Sequence, residues 1–213
     1  MRLGRRSSRP CRPRARRPMY MPLKGLILDF DSTLSAPIWI ERLQKWAVAD
    51  NKQVFASMSA DEVVANFGGQ ERVGELDSLL RDAKAASVEL FIVSIGYKAA
   101  YSPHLQAAGL LGLFDPANLY GQDSPELRAV GFVKGALIQQ LMQARGWNHA
   151  DVLFVDDSLD HIEKARATCR TLHVAGRGGM GATEFPQIRA SFSSDAAGKA
   201  PRRSPRSRDE TRE

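Results

Sequence analysis

The chain has 213 residues, 43% hydrophobic and 25% charged, a balance that suits one ordinary globular domain and excludes a wholly disordered chain. Two cysteines, Cys11 and Cys169, exclude a disulfide framework and a cysteine-based zinc site, and no apolar run approaches the ~20 residues of a membrane-spanning helix. The net charge of +6 is uneven: residues 1–18 hold eight Arg and no acid, and residues 196–213 hold six Lys/Arg and three acids, so residues 19–195 keep 16 basic and 21 acidic residues, net −5.

In chain order, residues 1–18 (MRLGRRSSRPCRPRARRP) have almost nothing to bury and are expected to be a disordered basic tail. Three readings of this tail stay open. It resembles a transit peptide, although Pro10, Pro13 and Pro18 spoil an amphipathic helix. It could serve as a nuclear-import or nucleic-acid patch. It could also be an over-extended reading frame, with Met19 and Met21 standing just before the first strand. A cytoplasmic location is favoured, with an organelle or the nucleus as the alternatives this tail leaves open.

LKGLILDF (23–30) is a short apolar run ending in acid, the pattern of a buried strand. IWIERLQKWAVAD (38–50) has helical spacing, with Trp39 and Trp46 expected to pack inside rather than line a substrate entrance. Ser59 and Glu62 form a capping-box pair ahead of Val63, Val64 and Phe67. A helix is expected over 71–86, a strand over 88–94, a helix over 98–108 and a short strand over 117–120. Further expectations are a helix over 132–146, a strand over 151–157, a helix over 162–168 and a last strand over 170–175. GRGGMG (176–181) lacks the Gly-Lys-Ser/Thr of a phosphate-binding P-loop and reads as a flexible turn. Residues 196–213 are expected to be a second disordered basic tail. The domain is therefore placed at 19–195.

Apolar strands alternating with helices predict an α/β fold, a Rossmann-like parallel sheet of about five strands with helices on both faces. Ligands in such sheets bind beyond the carboxyl ends of the strands. Here those ends are unusual. The first strand ends in Asp29-Phe-Asp31-Ser-Thr33, the second in Ser94, and the fourth in Asp156-Asp157, with Asp160 close behind. Lys134 opens a helix after Gly131. Clustered carboxylates repel one another, and a cation such as Mg2+ would stabilise them, while Ser and Lys suit phosphate oxygens.

DFDSTL, a strand ending in Ser94, Lys134 and VDDSLD together resemble the four ordered motifs of the haloacid dehalogenase-like (HAD) hydrolase superfamily, over about residues 23–175. The resemblance implies a Mg2+-dependent phosphohydrolase acting on a phosphomonoester through an aspartyl-phosphate. It implies Asp29 as nucleophile and Asp31 as general acid/base, with Ser94 and Lys134 binding phosphate. It also implies a metal set of Asp29, Asp31 through its backbone carbonyl, Asp156 and Asp157. Asp157 and Asp160 compete for the second acidic role of the last motif; Asp157 is favoured, and Asp160 could equally cap the next helix. Within the superfamily, the Asp29/Asp31 pair favours phosphoryl transfer over dehalogenation, and size excludes the membrane ATPase branch.

Residues 35–70 leave room for a reduced cap at most, and the layout resembles the capless or reduced-cap magnesium-dependent phosphatases, including the phosphotyrosine- and sugar-directed type. The partner expected is a phosphorylated small molecule or a phosphoprotein, with no membrane, and with nucleic acid only through the basic tails. Two competing functions remain: a catalytically silent module that binds phosphorylated partners, and a basic-tailed nucleic-acid-associated protein. His161 reads as a surface or capping residue, and His104, His149 and His173 do not form a metal set. Cys169 reads as a small buried hydrophobe.

Overall fold

The computed structural model describes residues 23–37, 58–176 and 178–192. Both basic tails, the helix expected over 38–50 with Trp39 and Trp46, and most of the reduced cap expected over 35–70 lie outside the described residues.

Five parallel strands form one sheet: β1 (Gly25–Leu28), β2 (Glu89–Val93), β3 (Leu119–Tyr120), β4 (Val152–Asp156) and β5 (Arg170–His173), in the spatial order β3-β2-β1-β4-β5. The central strand β1 pairs with β2 and β4 in matching register, Leu26 facing Leu90 on one side and Leu153 on the other. Burial on both faces explains why these strands read as continuous apolar runs rather than alternating ones. Alternate residues serve different faces. Leu26, Leu28, Leu90, Ile92, Leu153 and Val155 belong to one core cluster, and Ile27, Phe91, Val93, Val152 and Phe154 to the other.

The first face is covered by α1 (Ala60–Asn66), α2 (Gln70–Ala85), α3 (Lys98–Ala107) and α7 (Glu184–Phe192), through Val63, Leu76, Leu80, Leu105 and Ile188. The second is covered by α4 (Pro125–Ala129), α5 (Lys134–Arg145) and α6 (Leu159–Ala165), through Leu127, Leu137, Ile138 and Ile162. Ser59 caps α1 in the expected box: its hydroxyl accepts from the Glu62 amide and the Glu62 carboxylate accepts from the Ser59 amide.

Three differences from the sequence reading stand out. The sequence pattern predicts neither α7 nor the five-residue α4. α6 begins at Leu159 rather than 162, because Ser158 accepts from the His161 amide and starts the helix early. Ser158 therefore occupies the capping position considered for Asp160. Cys169 is fully buried as expected, and burial pushes its thiol up to about 12. Among the described residues, no helix is long and apolar enough to cross a membrane.

The strand order reverses between β1 and β4, since the chain leaves β1 toward β2 and returns to β4 on the other side. This is the crevice where open α/β sheets bind ligands.

Candidate active site

Main-chain pairing places the acidic strand ends side by side. The Asp29 amide donates to the Val155 carbonyl at 2.9 Å, and the Val174 amide donates to the Asp156 carbonyl at 2.9 Å. Ser94 is set at the tip of β2 by its amide, which donates to the Tyr120 carbonyl at 3.0 Å. Lys134, the first residue of α5, reaches this edge from the second face.

Asp29, Lys134 and Asp156 are 3%, 2% and 0% exposed. The Lys134 ammonium donates to Asp29 Oδ1 at 2.6 Å and to Asp156 Oδ2 at 2.7 Å. Desolvating three charges is costly, and the arrangement holds only because the ammonium lies between both anions. Burial pulls the Lys134 ammonium down, but Asp29 and Asp156 outweigh it and the net shift is upward. Burial drives the Asp29 carboxyl well above the usual carboxylate range; repulsion from Asp156 and Asp31 adds to this and Lys134 opposes it. Asp156 goes the other way: burial alone would raise it, but hydrogen bonds from His161 and Lys134, the Lys134 charge and the Ser158 amide at 2.7 Å lower it.

Asp29, Asp156 and Asp157 each offer an oxygen, and these three atoms lie within 4.8 Å of one another. Three carboxylate oxygens converging at a strand-end crevice suit a hard cation such as Mg2+. Burial and the neighbouring Asp156 hold the Asp157 carboxyl above its ordinary value, the response of an acid crowded by like charge. Asp160 is elsewhere, pairing with Lys164 at 2.6 Å on the exposed side of α6. The geometry thus separates the two acids that compete in the sequence.

Asp31 lies beside Ser94. Its carboxylate is outside the three-acid group and approaches Ser94 Oγ at 3.4 Å, long for a hydroxyl–carboxylate bond. Gly96 makes this position accessible: a Cβ there would lie 2.7 Å from Asp31 Oδ2. The Gly96 amide donates to Ser94 Oγ at 3.1 Å. The six expected side chains therefore gather at one edge in two groups, Asp29–Lys134–Asp156–Asp157 and Asp31–Ser94.

Sequence reasoning missed two contacts here. His161 Nδ1 lies 3.3 Å from Asp156 Oδ2, so this histidine belongs to the site's border rather than to a plain surface. Its place at the first turn of a helix following Asp156 was the available signal. His173 Nε2 is 2.9 Å from the Asp157 carbonyl oxygen, a contact with main chain that leaves no mark in the sequence.

No family model matches the sequence, and no curated protein matches it. Solved structures do match. The HAD domain of the effector protein Lem4 from Legionella pneumophila is similar over 83% of this chain and 98% of its own, at 14% identity and a TM-score of 0.51. The chain has the haloacid dehalogenase-like fold. A haloacid dehalogenase-like family hydrolase from Streptococcus pneumoniae is similar over 78% of this chain and 90% of its own, with 17% identity and a TM-score of 0.48. A HAD phosphatase from Thermococcus onnurineus covers 75% of this chain with 90% of its own, at 15% identity and a TM-score of 0.44. In this HAD-like sheet, only the short α4 stands between β3 and the lysine-bearing α5.

Proposed function

We propose that this HAD-like protein is a magnesium-dependent phosphohydrolase acting on a phosphomonoester through an aspartyl-phosphate. One observation carries the reading: Lys134 is buried between Asp29 and Asp156, with Asp157 alongside, while Asp31 lies outside that group with its carboxylate beside Ser94. One carboxylate is thereby placed for attack and a second, beside Ser94, for proton transfer.

In the first step an Asp29 oxygen attacks phosphorus, forming an acyl-phosphate bond as the ester P–O bond breaks. Asp31, as the carboxylic acid, gives its proton to the departing oxygen. In the second step Asp31, now a carboxylate, takes a proton from water, the water oxygen attacks phosphorus, and Asp29 leaves as a carboxylate with inorganic phosphate. The two-step route replaces one difficult displacement by two easier ones. Lys134 and Ser94 hold phosphoryl oxygens and oppose the charge that develops on them. Asp29, Asp156 and Asp157 would hold Mg2+, whose charge lets an anionic nucleophile meet an anionic ester. The substrate class is a phosphorylated small molecule or an exposed phosphorylated side chain.

The test is turnover of p-nitrophenyl phosphate with Mg2+ and with excess chelator, together with thermal protection by Mg2+ plus fluoroberyllate, a phosphoryl mimic. Turnover that requires Mg2+, with protection by the mimic, is expected. Undiminished activity under chelation would sink the metal assignment. Absence of both turnover and protection would sink the phosphatase reading.

A further inference from the structure

The turn that follows the nucleophile strand is tied down from outside the sheet. Arg72, the third residue of α2, points its guanidinium at four main-chain carbonyls. Nη2 donates to Thr33 O at 2.9 Å, Nη1 to Leu34 O and to Phe67 O at 2.7 Å each, and Nε to Met180 O at 2.9 Å. Three stretches distant in sequence therefore meet on one side chain: the turn after Asp31, the end of α1, and the glycine loop after β5. The Met180 amide closes the arrangement by donating to Thr33 O at 3.0 Å.

Gly179 gives this loop its close approach. It adopts φ +78°, and a Cβ there would lie 2.7 Å from Ser35 O and 3.0 Å from Thr33 O and would run into the Arg72 guanidinium. Gly179 and Met180 thus act as a backbone wedge, where the composition of GRGGMG alone suggests a flexible turn. Burial lowers Arg72 to about 10, with Glu75 and Glu184 opposing, so it stays cationic at neutral pH. A planar fork with five donors can serve four carbonyls, whereas the three donors of a lysine radiate from one point.

The turn needs such restraint. Ser32, directly after Asp31, adopts φ +55°, a left-handed conformation that a non-glycine residue keeps only when its surroundings impose it. We propose that Arg72, together with Gly179 and Met180, is a positioning device that fixes the Asp31–Ser35 turn and so sets where Asp31 stands relative to Asp29 and Ser94. The positioning of a proton donor rests on the phosphatase reading above; the holding of the turn does not.

The test uses the full chain and two variants, Arg72→Lys and Gly179→Ala, the second keeping the arginine but forcing a Cβ against its guanidinium and the carbonyls of the turn. Amide hydrogen exchange is measured at residues 30–36 and, as an internal reference, at Leu26 and Ile27 of β1. Turnover is measured under saturating Mg2+ with p-nitrophenyl phosphate, whose leaving group needs little protonation, and with phenyl phosphate, whose leaving group needs more. Both variants are expected to speed exchange in the turn at least about tenfold while β1 keeps its protection. For phenyl phosphate, kcat is expected to fall about tenfold or more beyond its fall for p-nitrophenyl phosphate, with KM little changed. Loss of folded protein would lower both substrates equally and cannot produce that split. Exchange in the turn unchanged in both variants overturns the proposal, and so does an equal loss on both esters. A wild type inert toward both esters sinks the phosphatase reading, and the exchange data then decide the holding of the turn alone.

Discussion

Asp29 and Asp31 are two residues apart in sequence but meet different neighbours, Lys134 for the first and Ser94 for the second. Their amide variants should therefore fail differently. Asp29→Asn replaces the attacking carboxylate by a neutral amide, so no phospho-enzyme should form. Asp31→Asn keeps the nucleophile and loses the proton donor and later base, help typically worth ~10²–10⁴-fold. An ester with a good leaving group should still phosphorylate the Asp31→Asn protein, and dephosphorylation should then stall. Acid quench under saturating Mg2+ should trap covalent phosphate on that variant and none on Asp29→Asn; covalent phosphate on the latter would refute the nucleophile assignment. Asp29, Asp31, Ser94, Lys134 and Asp156 were legible in the sequence because each sits at a strand or helix end, where the pattern of apolar runs places it. Asp157 is favoured over Asp160 on the sequence alone, and helical geometry turns Asp160 out toward Lys164. Arg72 was illegible for a different reason: its partners are carbonyl oxygens, which every residue has.

The sheet depends on close approach at the end opposite the site as well. Gly25 opens β1, and a Cβ there would lie 2.5 Å from the Trp147 ring, which also meets Phe91 edge-on at 6.0 Å between centroids. The central strand is fixed by pairing on both sides and the half-buried ring packs on Phe91, so Gly25→Ala should destabilise by roughly 1–3 kcal/mol, the usual cost of overpacking. Adding Trp147→Leu should make the alanine cheaper than it is alone, so a double-mutant cycle by urea unfolding should show positive coupling; strict additivity would refute the clash. The strands themselves were legible because a doubly covered parallel sheet writes each one as an unbroken apolar run. The helices that escaped are short or punctuated. In α4, Pro125 stands at the first position of a five-residue helix. In α7, Phe185, Ile188 and Phe192 do recur at helical spacing, but Pro186 lies in the first turn, where proline is tolerated and yet reads as a break.

At the scale of the whole molecule, the cluster makes stability depend on pH and metal together. Asp29, buried and crowded by Asp156 and Asp31, has its carboxyl raised above the ordinary value of 3.8, and Asp157 is raised by burial and by Asp156. Without metal the folded state therefore holds more protons than the unfolded chain at pH values above about 4, and stability must fall as pH rises through that window. One such proton is worth at most about 1.4 kcal/mol per pH unit. The lowered acids, Asp156, Asp151 and Glu89, have the opposite sign: their contribution is complete above their ordinary values of 3.8, 3.8 and 4.5 and is lost only as pH falls below them. Lys134, raised from 10.5, keeps its contribution until well into alkali. Between pH 5 and 8 the raised acids should thus set the slope. In chelator, Tm should decline across this range. Saturating Mg2+ should lift Tm, and lift it more at pH 8 than at pH 5, because metal and proton compete for the same carboxylates. Asp29→Asn, which has no proton to lose at this position, should flatten the decline in chelator. A Tm that rises with pH in chelator, or a Mg2+ effect that is larger at pH 5, would show that the three carboxylates do not share their charge as the geometry requires.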